Sequence, residues 1–207
     1  MIDFILHFDD QLIWLIQNYG VWIYAMVFVV IFCETGLVIA PFLPGDSLLF
    51  LLGAFAATGH LDLPLILAII AVAGILGDTT NYHIGKVIGP RIFRSENSRL
   101  FNKKYIQQTQ EFYDTYGAKT LVIARFLPII RTFAPFVAGI GSMNYQKFLF
   151  WNVAGALLWT FTFVIAGYIF GNIPFIKDNL TLLVLGIIAV SVVPALISYL
   201  RSSRKNS

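Results

Sequence analysis

Five ionisable residues stand in otherwise apolar stretches of this chain: Glu34, Asp46, Asp78, Arg125 and Arg131. Charges inside a bilayer cost at least ~2.5–3.5 kcal/mol each on insertion scales and usually mark function. Arginine stays protonated, and its planar fork fits phosphate oxygens. Arg125 and Arg131 are therefore candidates to hold an anionic headgroup. A buried carboxylate has a raised proton affinity, so Glu34 and Asp46 are candidates to load and release protons. The same two acids also suit a purely structural task, neutralising the arginines. The two readings are compatible, because an arriving anion would break that pairing. Asp78 has two available partners, Tyr82 one turn on or the tip of a proline hairpin, and serves structure and function equally well.

The charged residues flank proline-bearing turns. Pro41-Phe-Leu-Pro44-Gly45-Asp46 forms one, and the second holds Arg125, Pro128, Arg131 and Pro135. Two prolines and a glycine cannot continue a regular helix. A broken helix end near Gly45 would add backbone N–H donors to an anion site. The turns are also two copies of one stretch. Residues 37–44 read LVIAPFLP and residues 121–128 read LVIARFLP, matching at seven of eight positions at an offset of 84. Downstream, Gly85-x-x-x-Gly89 returns as Gly167-x-x-x-Gly171 at an offset of 82. Repeats of this kind in apolar chains are a signature of transporter folds.

Apolar residues make up 58% of the chain and charged residues 12%. A soluble domain is about half apolar and about a quarter charged, so this is the composition of an integral membrane protein. The mean hydropathy of +0.78 agrees. Residues 1–85 hold seven of the eleven acids and no Lys or Arg, whereas seven basic residues fall between Lys86 and Lys119. Loops rich in Lys and Arg stay in the cytoplasm. That places the 86–119 connection and the C-terminus, with Arg201, Arg204 and Lys205, on the cytoplasmic side.

These patterns predict a single all-α polytopic membrane domain over residues 1–207. Residues 1–19 read as an interfacial helix and lack the basic start of a cleavable signal. Residues 21–85 form a first repeat: a re-entrant hairpin tipped by the PFLPGD turn, then a full span over 65–84. The hairpin follows from length, since the thirteen residues 47–59 reach only ~20 Å as a helix against a hydrocarbon core of ~30 Å. Residues 86–119 form a basic connection with an amphipathic helix. Residues 120–171 repeat the hairpin and add a span over 148–170. Residues 179–200 form a last span and 201–207 a cytoplasmic tail. One crossing separates the two copies, so the hairpins enter from opposite faces and the repeat is inverted. The expectation is two facing hairpins plus about three full transmembrane helices, with a site near the midplane.

Other chemistries find little support. Cys33 is the single cysteine, which excludes an intrachain disulfide. His83 lies near Asp78, but no third metal ligand follows at metal-site spacing. Gly45-Asp46-Ser47 is not a nucleophile elbow, because Leu49 replaces the second glycine. The basic residues flank membrane spans and do not suggest nucleic acid. No enzyme, cofactor or metal is expected.

The segments FCETGLVIAPFLPGDSLL (32–49), Gly77-Asp78-x-x-x-Tyr82-x-x-Gly85, ARFLPIIRTFAPFVAG (124–139) and Asn152-x-x-Gly155-Ala156-x-x-Trp159 resemble the DedA family of bacterial inner-membrane proteins, related to the VTT or SNARE-associated domain. The resemblance runs from about residue 20 to about residue 200. It implies a lipid transporter or scramblase of the inner membrane, with undecaprenyl phosphate as the carried lipid and the proton motive force as the drive. The family's essential acids and arginines fall on Glu34, Asp46, Arg125 and Arg131. Around them Pro44, Gly45, Asp78, Tyr82, Pro128 and Pro135 are read from the residues themselves as supporting positions. Two other readings of the residues stay open: a proton-coupled transporter of a small ion or solute, and a non-transporting membrane scaffold.

Overall fold

The computed structural model describes residues 20–37, 45–92, 111 and 113–174. The first 19 residues, residues 38–44 with Pro44, most of the basic connection and everything after residue 174 lie outside it. Among the described residues the regular structure is helical. Six α-helices follow in order: α1 (Val21–Gly36), α2 (Gly45–Ala57), α3 (Leu63–Ile92), α4 (Thr120–Ala124), α5 (Pro128–Ile140) and α6 (Tyr145–Gly171), with a 3-10 turn at Gly117–Lys119 before α4.

Among the described residues two helices are long and apolar enough to cross a membrane, over Leu63–Ile88 and Tyr145–Gly171. At ~1.5 Å per residue each exceeds the ~30 Å hydrocarbon core. Both run beyond the spans expected at 65–84 and 148–170, because each has a good cap. Asp62 Oδ1 accepts a hydrogen bond from the Leu65 N–H at 2.8 Å, with Pro64 in the first turn, where its missing N–H costs nothing. Asn144 Oδ1 accepts from the Gln146 and Lys147 N–H groups at 3.0 and 3.2 Å. Such caps satisfy donors that a helix start leaves open.

The other helices are short. α2 and α5 have thirteen residues each and α4 has five, so none of them reaches ~30 Å. The second proline turn is tighter than the sequence suggests. It occupies only Arg125–Leu127, and Leu127 is extended at φ −118° and ψ 103°. Pro128 then opens α5, and Arg131 and Pro135 lie within that helix. The reason is that a proline at the first helical position is pre-organised for the helix. The expectation that all four residues lie in the turn is thus corrected.

The chain divides into two compact units. The described parts of one are residues 20–24, 45–66 and 162–174; those of the other are 25–37, 67–92, 111 and 113–161. The repeat seen in the sequence returns as one helix contact in each unit. In the first, a side chain at Gly53 of α2 would strike the main chain of Val164 and Tyr168 on α6, and one at Gly167 would strike Phe50. In the second, a side chain at Gly139 of α5 would strike Tyr82 and Lys86 on α3, and one at Gly85 would strike Phe136. Lipid tails are as apolar as leucine, so helices in a bilayer associate by close packing rather than by the hydrophobic effect, and small residues permit it. The second unit fills its interior with Tyr82, Leu121, Ala124, Ala134, Ala138 and Phe148. The Tyr82 and Phe148 rings stack at 4.3 Å.

Candidate functional site

The four buried charged side chains among the described residues are Glu34, Asp78, Arg125 and Arg131, and all belong to the second unit. They form two ion pairs. Arg125 sits in the turn between α4 and α5, 2% exposed. Its Nη2 donates to Asp78 Oδ2 on α3 and to Asn152 Oδ1 on α6 at 2.7 Å. Arg131, on α5, donates through Nη2 to Glu34 Oε1 near the end of α1.

Two asparagines hold this arrangement. Asn152 donates its amide to the Ile75 carbonyl at 3.1 Å and to the Thr79 hydroxyl at 3.4 Å. It thereby ties α6 to α3 on either side of Asp78 while fixing Arg125. Asn81, fully buried, donates to the Thr35 carbonyl at 3.2 Å and the Thr132 carbonyl at 2.8 Å. It bridges the residue after Glu34 and the residue after Arg131. On α3, Gly74, Asp78 and Asn81 follow at helical spacing and share a face.

Trp159 joins the two pairs. It is fully buried, and its ring lies 5.8 Å from the Arg125 guanidinium carbon and 5.3 Å from that of Arg131. Both distances are within the range of cation–π attraction. Arg125 still has donors to spare. Its Nε and Nη1 are buried and have no hydrogen-bond acceptor among the described residues, which leaves three of the five guanidinium N–H bonds unused. Around them the walls are small: a side chain at Gly74 would meet only Nη1, at 3.5 Å, and one at Gly155 would meet Nε at 3.1 Å.

Tyr113 borders the site from outside the spans. Its hydroxyl donates to the Ala134 carbonyl at 2.9 Å. Burial pushes its phenol well above the ordinary range, and the Asp78 charge adds to the effect.

The sequence-derived candidates are thus only partly brought together. Glu34 and Arg131 meet. Arg125 meets Asp78, which pairs with this arginine of the Arg125–Leu127 turn. Tyr82 instead donates its hydroxyl to the Met143 carbonyl at 2.5 Å. Asp46 is the second residue of α2, half-buried and in the other unit. There its charge suits the helix N-terminus, and Gly45, buried, begins that helix. Pro135 is buried within α5. Asn152, Asn81 and Trp159 were not singled out as site residues from sequence. The signal was available: a fully buried asparagine inside an apolar span needs polar partners, and Asn152, Gly155 and Trp159 recur at positions i, i+3 and i+7 of one helix face.

A family model described as the VTT domain matches residues 43–169. Protein DedA of Escherichia coli strain K12 is 51% identical over 206 residues, which cover 99% of this chain and 94% of that protein. The chain belongs to the DedA family. Further similarity extends to an uncharacterized membrane protein of Mycobacterium leprae, 43% identical over 86% of this chain and 80% of its own length. The inner membrane protein YqjA of Escherichia coli strain K12 is 36% identical over 73% of this chain and 69% of its own length. No solved structure matches the chain. A DedA family member is therefore a membrane protein by kinship as well as by composition, and the buried arginine pair lies within the matched region.

Proposed function

We propose that this DedA family protein moves a phosphate-bearing lipid, undecaprenyl phosphate, across the bacterial inner membrane, coupled to the proton motive force. Arg125 and Arg131 hold the phosphate. Glu34, paired with Arg131, and Asp46, at the head of α2, carry the protons. The short helices on either side of each proline turn form re-entrant hairpins, one per repeat, and the C-terminus lies in the cytoplasm.

One observation carries this reading. Arg125 is buried against the two long helices, through Asp78 and Asn152, with Nε and Nη1 lacking any acceptor among the described residues. Unmade hydrogen bonds to a buried charge are costly, and phosphate oxygens are the acceptors a guanidinium fits best. The two glycines beside those nitrogens keep bulk away from them. Binding tests the assignment directly. The purified protein in nanodiscs is mixed with undecaprenyl phosphate and with uncharged undecaprenol, and retention is followed by native mass spectrometry. Retention of the phosphate alone, lost in Arg125→Ala and Arg131→Ala, is the expected result. Equal retention of both lipids, or undiminished retention in the arginine variants, refutes the role of the arginines.

A further inference from the structure

The buried charges among the described residues of the second unit sum to zero, since Glu34 and Asp78 offset Arg131 and Arg125 one for one. The shared Trp159 ring makes them a single electrostatic site. Such a site tolerates net charge poorly, because a buried ion is costly unless it is paired. A phosphate monoester carries nearly two negative charges at neutral pH, whereas a diester carries one. Adding a monoester to the quartet with both carboxylates ionised would leave about two uncompensated negative charges in a buried space.

We infer that Asp78 is a proton-binding residue of this site: an anion arriving at Arg125 displaces the Asp78 carboxylate, which then takes up a proton released by the buffered medium, as Glu34 does when Arg131 is engaged. A monoester lipid thus enters with two protons and a diester with one. The inference rests on the phosphate reading of the two arginines and adds a carboxylate to it. Asn152 makes the exchange workable. It accepts from the same Arg125 nitrogen as Asp78 and is anchored to α3 independently, so the guanidinium stays in position when the carboxylate lets go. Among the described residues the charged or titratable groups around Asp78 are Arg125 from the turn, Arg131 from α5 and Tyr113 from the segment before α4. Of these only the Tyr113 phenol has a second accessible protonation state at neutral pH or above, and burial holds it protonated. The carboxylates are left to balance the charge.

Dodecyl phosphate and didodecyl phosphate serve as monoester and diester probes for the full-length protein in nanodiscs at pH 7.5. Calorimetry in buffers of different protonation enthalpy counts the protons taken up, and infrared difference spectra report protonated carboxyl groups. The expected outcome is about two protons with the monoester and about one with the diester. Two new carboxyl bands are expected with the monoester, one lost in Asp78→Asn and the other in Glu34→Gln. A monoester spectrum unchanged by Asp78→Asn, or equal proton counts for the two probes in the unsubstituted protein, overturns the inference while leaving the phosphate site intact. The second comparison needs no variant to fold. Absence of binding by either probe overturns the phosphate reading itself, and this inference with it.

Discussion

Asp78 and Asn152 share one nitrogen of Arg125, so a span on each side grips the same guanidinium. The grip joins a charged partner and a neutral one, which differ in cost when removed. Asp78→Ala leaves a buried arginine without its counter-ion, and losses of about 3–5 kcal/mol are typical of such a break. Asn152→Ala removes a hydrogen bond to a charged group, an effect of about 1.5–3 kcal/mol. Unfolding in detergent is expected to rank the variants in that order, and a double-mutant cycle is expected to show coupling, because both act on one atom.

Trp159 serves two cations at once. Trp159→Leu keeps most of the apolar volume and removes the π face. A loss of about 0.5–2 kcal/mol for each arginine is expected, whereas Trp159→Phe retains a ring and loses less. Thermal unfolding of the two variants side by side checks this ranking.

The glycine contacts predict a symmetry of defects. Gly53→Ala in one unit and Gly139→Ala in the other each force a methyl group into the main chain of a neighbouring helix. Overpacking of this kind costs about 1–3 kcal/mol, and comparable losses are expected at the two positions. Gly74→Ala is the control, since its methyl group meets only Arg125 Nη1 at contact distance, and its stability is expected to match that of the unsubstituted protein.

Alkaline pH tests Tyr113. Its folded-state phenol is raised above the ordinary value of about 10, so its neutral form is favoured by folding. That contribution is complete below pH ~10 and is lost as pH rises further. Tyr113→Phe is expected to flatten the alkaline limb of the stability curve, and an unchanged limb would show that the phenol does not contribute.

Much of this architecture was legible in the chain. Length and hydropathy located both long spans, and Gly85 and Gly167, matched in the sequence at an offset of 82, each lie at a close helix contact. Three of the four buried charges, Glu34, Arg125 and Arg131, stand out in the sequence as ionisable residues in apolar stretches beside proline turns, whereas Asp78 suits a structural role equally well. Their pairing was not legible. Asp46 stood closer to a proline turn than Asp78 did and so seemed the natural partner for an arginine. Which carboxylate meets Arg125 depends on how α3 crosses the Arg125–Leu127 turn, a contact between residues 47 positions apart. Local spacing does not encode such contacts. The compactness of the turn was misjudged for a different reason, because a proline reads as a helix breaker even when it opens a helix.

The central claim is that buried arginines carry a phosphate lipid across the bilayer with the help of protons. Its most direct test is transbilayer movement in proteoliposomes, following undecaprenyl phosphate and phosphatidylglycerol with and without a proton gradient, beside Arg131→Ala. Gradient-dependent movement of undecaprenyl phosphate, lost in Arg131→Ala although that variant still inserts, is the result expected. Movement of both lipids at equal rates without a gradient, or undiminished movement in Arg131→Ala, would contradict the account.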